Sequence, residues 1–426
     1  MGVPSRRVVI VSWGSYGDVF PYMGLALALA RRGHRPVLAV PAFYHESVER
    51  EGIEFRPVGP EVDPNDRATI ARVMDPVKGT EAILRGLLMP ALRRSYEELQ
   101  QAAAGADLLV THPITFAAPV LAQKLKLPWV STVLAPISFF STTDLPALPP
   151  APRLVHLRRL GPWAGRLIVG LAHRATRSWM DPVYDLRKEL GLPRGADPIY
   201  DGQFSPIRTL ALFSRVLAAP QPDWPPCVDV SGFVFYNGPD RLTAELDAFL
   251  AAGPPPIVFT LGTSAVGAAG RFYQESADAI ARLGLRAVLL TGGFPENQPA
   301  GVASRECFVT DRAPHQLLFP HAAAIVHQGG VGTTAQALRS GRPMLVVPHA
   351  HDQPDNAFRV TNLGVARTVF PSHYRAARVA RELRRLLNDS AVERRAAEVS
   401  AIVRAEGGAE AAADSIERVL TTNAPG

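Results

Sequence analysis

Residues 8–40 run Val8-Val9-Ile10-Val11, then Gly14-Ser15-Tyr16-Gly17-Asp18, a stretch from Pro21 to Arg32, and after Gly33-His34 the run Arg35-Pro36-Val37-Leu38-Ala39-Val40. The two short aliphatic runs predict strands, and the stretch between them predicts a helix over 21–32 that stops at Gly33-His34. Strand, helix and strand in that order make a βαβ unit, which pairs its strands in parallel. Working outward, the alternation repeats as a strand over 107–111, a helix over 117–126 and a strand over 129–134. A Pro-rich passage, Ala218 to Pro226, precedes a second series: strand 257–261, helix 272–282, strands 287–291 and 323–327, helix 333–339 and strand 344–347. The expected fold is therefore α/β, with two doubly wound, Rossmann-like parallel sheets covered by helices on both faces. Their carboxyl ends would face a common cleft, where open α/β sheets take ligands. The division expected is 1–225 for the first domain, 226–405 for the second, and 406–426 for a closing helix that packs back on the first.

A chain of 426 residues suits two to three domains at about 150 residues each, and 47% hydrophobic with 20% charged residues is ordinary globular usage. No apolar run reaches the roughly 18 residues of a membrane-spanning helix. Arg6 and Arg7 precede only the short run Val8 to Trp13, which leads into Gly14 rather than a cleavage site, so a buried first strand is expected in place of a signal peptide. Cys227 and Cys307 stand far apart without metal-ligand spacing, which argues against a disulfide framework and fits a reducing cytoplasm. The net charge is +6, but the basic residues are scattered without a stripe interleaved with aromatics, so no nucleic-acid partner is expected. The densest basic stretch, Arg153 to Arg177, mixes Arg158, Arg159, Arg166 and Arg174 with Leu, Trp163, Ile168 and Val169. It reads as a solvated surface helix or as one lying against the inner face of a membrane.

The most chemical stretch is Val326-His327-Gln328-Gly329-Gly330-Val331-Gly332-Thr333-Thr334, a glycine-rich turn from strand to helix. Glycines let backbone approach a ligand closely, and a helix start offers unpaired N–H groups at the positive end of its dipole. Such a turn cradles a diphosphate. Thr333 and Thr334 supply hydroxyls or cap the helix, and His327 can donate a ring N–H or serve the core. The turn after the first strand lacks Gly-x-Gly-x-x-Gly, and no Gly-x-x-x-x-Gly-Lys-Ser/Thr occurs, which disfavours a dehydrogenase and a nucleoside triphosphatase. In Pro348-His349-Ala350-His351-Asp352-Gln353-Pro354-Asp355-Asn356, an adjacent carboxylate and amide suit vicinal sugar hydroxyls, or else form a turn before a helix cap. His349, His351 and Asp352 lack a distant fourth ligand, so no metal is expected.

With these residues assembled, the carboxyl-terminal half resembles the nucleotide-sugar signature of family 1 glycosyltransferases, from Arg312-Ala313-Pro314-His315 through His327–Thr334 and Gly341–Met344 to Asp352-Gln353. Gly14 to Pro21, Gly-x-x-Gly-Asp-Val-x-Pro, resembles the bacterial branch that includes sterol, glycopeptide-antibiotic and rhamnolipid glycosyltransferases. Rhamnolipid enzymes are also similar in Arg32-Gly33-His34 and in Pro222-Asp223-Trp224-Pro225 followed by Gly232-Phe233. The resemblance implies the GT-B fold and an inverting, metal-independent transfer without a cofactor. It implies Asp18 as the catalytic base, whose alternative is a helix cap. It further implies His327, Gly329, Gly330, Gly332, Thr333, Thr334 and Thr263 around the donor diphosphate, Asp352 and Gln353 on the sugar, and Arg312 with the backbone of Ala313 and Pro314 at the nucleobase. Ala335 replaces the ribose-clamping glutamate of plant members, which leaves UDP and dTDP donors both open. The partners implied are a nucleoside-diphosphate sugar, carrying glucose or rhamnose, and a hydrophobic acceptor, with the loops 62–90 and 136–160 shaping the acceptor side. A nucleotide-sugar 2-epimerase and a catalytically silent nucleotide-sugar-binding partner are the alternatives.

Overall fold

The computed structural model describes residues 4–63, 66–301 and 306–422. Residues 64–65 of the expected acceptor loop and 423–426 of the closing segment lie outside the described residues. The first sheet holds seven parallel strands, β1 (Arg7–Val11), β2 (Arg35–Val40), β3 (Glu54–Pro57), β4 (Leu108–Thr111), β5 (Trp129–Val133), β6 (Thr209–Ala211) and β7 (Val228–Val230), in the order β3-β2-β1-β4-β5-β6-β7. The second holds six, β8 (Ile257–Thr260), β9 (Ala287–Leu290), β10 (Cys307–Thr310), β11 (Ala324–His327), β12 (Met344–Val346) and β13 (Ala366–Thr368), in the order β10-β9-β8-β11-β12-β13. The fold is α/β, two Rossmann-like parallel sheets. The strand order reverses between β1 and β4 in one sheet and between β8 and β11 in the other, and a doubly wound sheet opens its ligand crevice at that reversal.

Because β7 pairs beside β6, the first unit reaches at least Val230, past the boundary expected at 225. Helix α1 (Tyr16–Arg31) starts five residues before Pro21, the start expected from the sequence, although proline as a rule favours a helix's first turn. A reciprocal cap outweighs that rule: Ser15 is the N-cap and Asp18 the third residue, each bonding back to the other. The inner face of α1 buries Val19, Tyr22, Met23, Leu25 and Leu29 against the sheet. From 152 to 160 the chain forms a 3-10 helix, followed by α2 (Pro162–Thr176).

Two further helices frame the cleft, α3 (Val331–Ser340) and α4 (Gln353–Asn362), and α5 (Gly408–Thr422) ends the described chain. Helix α5 lies on α1: Ala412, Ala413, Ile416 and Val419 join the first core, while Arg32 pairs with Glu410, Asp414 and Glu417. The two units are also tied by Arg359, whose guanidinium meets Asp144 at 2.6 Å and Asp355 at 2.7 Å, with Asp355 in turn accepting from the Ala147 amide. No described helix is long and apolar enough to cross a membrane.

Candidate active site

The chain leaves β1 through Ser12 to Ser15. Gly14 has φ +134°, and a Cβ there would fall 2.4 Å from Asp18 Oδ2, so only glycine lets the turn close on that carboxylate. Oδ2 accepts from the Ser15 amide at 2.8 Å and the Ser15 hydroxyl at 2.9 Å. The other oxygen, Oδ1, stands 3.9 Å from His112 Nε2, and the side chain keeps 35% of its surface exposed. One carboxylate thus caps α1 and still offers a free lone pair to the cleft. Desolvation raises its pKa above the usual carboxylate value, partly offset by the two Ser15 bonds. His112 immediately follows β4, the strand beside β1. Its Nδ1 accepts from the Ile114 amide, which leaves the proton on Nε2, and burial pushes its pKa down to about 3, so the ring is neutral. His112 escaped the sequence reading; a lone histidine directly after the predicted strand 107–111 was the signal available.

On the facing sheet, β11 delivers a fully buried His327. Its Nδ1 accepts from the Gly329 amide at 3.1 Å, leaving Nε2 to carry the proton, and that atom has no partner. Burial, then the nearby His315, pushes its pKa down to about 3. The ring is a neutral donor whose other nitrogen is fixed on the glycine turn. Gly330 is the N-cap of α3, so the amides of Gly332 and Thr333 lie among the unpaired donors of a helix start. The first amide, Val331, is already taken by Asp352 Oδ2 at 3.1 Å. Gly332 meets Gly17 across the cleft: a Cβ on Gly332 would sit 3.1 Å from the Gly17 Cα, so glycine here lets the two helix starts approach. Thr334 is buried, Thr333 nearly so, and Thr263 is exposed just past β8, the neighbour of β11.

Eight buried side-chain polar atoms lack a partner among the described residues, and five lie in this one region: His327 Nε2, Gln328 Oε1, Thr334 Oγ1, Gln336 Oε1 and Asn356 Oδ1. An unmade buried hydrogen bond costs about 1–3 kcal/mol, so such a cluster calls for a ligand. The set comprises one donor, three acceptors and one hydroxyl. It suits a molecule with phosphate oxygens at one end and hydroxyl groups at the other.

Asp352 precedes α4, and its Oδ2 also accepts from Asn356 Nδ2 at 2.7 Å. Burial, then the charge of Asp18, raises its pKa to about 7. The two expected site carboxylates thus face each other from opposite domains. Gln353 is buried with its Oε1 bracing the His349 and Ala350 amides, which leaves only its Nε2 for a sugar. Arg312 is exposed beyond the end of β10, with Ala313 and Pro314 half-buried beside it. His349 Nδ1 faces the Val347 carbonyl, His351 turns to Thr80, and Asp352 caps α3, so these neighbours in sequence diverge. Among the described residues no group of three or more His, Cys, Asp or Glu is gathered to hold a metal ion.

Two parallel-sheet domains meeting at a capped carboxylate and a glycine-rich helix start are the fold of GT-B glycosyltransferases of known structure. Residues 8–125 match the glycosyltransferase family 28 N-terminal domain, and residues 294–418 match the erythromycin biosynthesis protein CIII-like C-terminal domain. The chain is 32% identical to O-mycaminosyltylonolide 6-deoxyallosyltransferase of Streptomyces fradiae over 98% of both chains. It is 30% identical to vancomycin aglycone glucosyltransferase of Amycolatopsis orientalis over 84% of both. The solved structure of glycosyltransferase VinC in complex with dTDP covers 98% of this chain and 100% of its own, with a TM-score of 0.67 at 21% identity. The chain belongs to this family of glycosyltransferases and is a glycosyltransferase enzyme.

Proposed function

We propose that the enzyme moves a hexose from a UDP- or dTDP-sugar to a hydroxyl of a hydrophobic natural-product or lipid acceptor, with inversion and without a metal ion or cofactor. The cluster of orphaned polar atoms from His327 to Asn356 carries this reading, because it asks for phosphate and hydroxyl groups together. Asp18 Oδ1 takes the proton of the acceptor hydroxyl as that oxygen attacks the anomeric carbon, and the neutral His112 faces the same oxygen. Attack from the first domain and departure into the second occur on opposite faces of the sugar, which inverts the centre. His327 Nε2 and the α3 amides receive the charge that develops on the leaving diphosphate, with Thr263 beside them. A neutral imidazole N–H donating to an anionic oxygen is a charge-assisted bond and needs no imidazolium.

The remaining oxygen of Asp352 and Nε2 of Gln353 bind sugar hydroxyls. The Arg312 guanidinium stacks on the nucleobase beside the Ala313 and Pro314 backbone. Ala335 leaves room where a ribose clamp would stand, and the Gln336 Oε1 next to it accepts from a donor hydroxyl. On the acceptor side, Trp13, Val58, Leu88, Ile114 and Phe116 line a cavity of about 30 Å³ whose walls are mostly apolar. VinC was solved with dTDP, which favours including that nucleotide in the test. An acceptor panel supplied with UDP-glucose or dTDP-rhamnose and read by mass spectrometry tests the reading. Hydrolysis of neither donor and no product from any acceptor would reject it.

A further inference from the structure

Between Asp144 and Asp181 the chain has six arginines, at 153, 158, 159, 166, 174 and 177, and no acidic residue. That local charge equals the +6 of the entire protein. Helix α2 turns Ala164, Gly165 and Ile168 inward, with Gly165 pressed on the Thr142 carbonyl. Its outer face carries Trp163, Leu167 and Leu171, spaced by four and therefore stacked along one stripe, at 59%, 57% and 59% exposure. Leu154, Leu157 and Leu160 of the preceding 3-10 helix extend it, so six of the eleven exposed large apolar side chains among the described residues lie in this one segment. Of the two sequence-based readings, the solvated helix does not describe it, because a solvated helix would be polar outward and this one is not.

We infer that residues 153–177 seat the enzyme on an anionic phospholipid surface. Trp163 and the leucines enter the boundary between headgroups and acyl chains, while the exposed Arg159, Arg166 and Arg174 reach lipid phosphates. These three arginines have no ion-pair or hydrogen-bond partner among the described residues, whereas Arg158 is held between Asp144 and the Phe358 ring. Charge selects this occupant over a second copy of the chain. A twofold contact through the patch would set six arginines against six with no acid between them, and like charges at close range repel. The inference does not depend on which donor or acceptor the cleft takes.

Flotation of the purified protein with phosphatidylcholine vesicles, with and without phosphatidylglycerol, tests it. The wild type should float with the phosphatidylglycerol vesicles, stay behind with phosphatidylcholine alone, and detach as salt rises. Leu167→Ser with Leu171→Ser, and separately Arg159→Glu with Arg166→Glu, should each lower partitioning about tenfold or more while thermal unfolding stays unchanged. Absence of the wild type from the floated anionic vesicles, or equal partitioning of both folded double variants, would overturn the inference. So would light scattering that shows a wild-type dimer which the leucine variant splits, because the patch would then be a contact between copies.

Discussion

In the proposed reaction Asp18 is both helix cap and base, and Asp18→Asn separates the two. Oδ2 accepts both Ser15 bonds and Oδ1 faces the cleft, so an asparagine whose single oxygen keeps the Ser15 bonds presents its NH2 where the base had been. The cap survives, and the stability change should stay under about 1 kcal/mol, or a few degrees in Tm. The proton acceptor is gone, which should lower kcat by about a hundredfold or more, some 2.7 kcal/mol of barrier. Asp18→Ala loses cap and base together and should cost about 1–2 kcal/mol of stability as well. Wild-type kcat/KM should fall as pH drops, because the base must be unprotonated. Burial moves that limb above the ordinary carboxylate range, and the asparagine variant should lack it. The assay is nucleoside diphosphate release with acceptor present, alongside calorimetric titration of UDP and dTDP and thermal unfolding. Near-normal turnover in Asp18→Asn would reduce Asp18 to a helix cap. A loss of turnover that merely tracks lost donor affinity or lost Tm would refute the separation of roles.

His327→Ala removes a hydrogen bond to a charged group, worth about 1.5–3 kcal/mol, and should weaken UDP or dTDP binding about tenfold or more by calorimetry. Unchanged affinity for both nucleotides would return this histidine to the core. Turnover should survive EDTA; its loss, with recovery on adding magnesium or manganese, would reject the anion turn as the source of positive potential. Arg359→Met strands the fully buried Asp355 without its ion partner and should cost about 3–5 kcal/mol in denaturant unfolding. A deficit under about 1 kcal/mol at pH 7 would show that water enters and solvates the junction.

The central strands were legible because a parallel strand buried on both faces is a continuous aliphatic run, as in Val8–Val11 or Ile257–Thr260. Strands β6, β7 and β13 have three residues each, too few to carry any periodicity, and β3 ends on a proline. Their pairing comes from the neighbouring strand rather than from their own composition. The start of α1 was encoded in Ser15 and Asp18 but masked by the stronger association of proline with first turns. His327 could be picked out because it ends a readable strand at a glycine turn, whereas Asp18 came from the resemblance carried by Gly14 to Pro21. His112 required the strand order as well, since only the pairing of β4 with β1 brings it to Asp18. The Asp144–Arg359 tie spans 215 residues and has no local signature. Gln353 shows the limit of motif reading: the residue type was legible, yet which of its two polar atoms stays free depended on the fold of the 349–352 turn.

Both helix starts at the cleft are finished by a carboxylate, and the two arrangements differ in a way that bears on the order of events. Asp18 caps its own helix, whereas Asp352 bridges from α4 to the first amide of α3, in the other half of its own domain's crevice. Gly17 and Gly332 bring the two starts together, and burial first, then the charge of Asp18, raises the Asp352 pKa to about 7. In the empty cleft near neutral pH, Asp352 therefore carries a proton in part of the molecules. In the proposed reaction a sugar hydroxyl donates to the free oxygen of Asp352, which favours its charged form and sends that proton out. Donor binding thus leaves Asp18 as the one carboxylate in the cleft whose free oxygen has no hydroxyl to accept from, until the acceptor brings one.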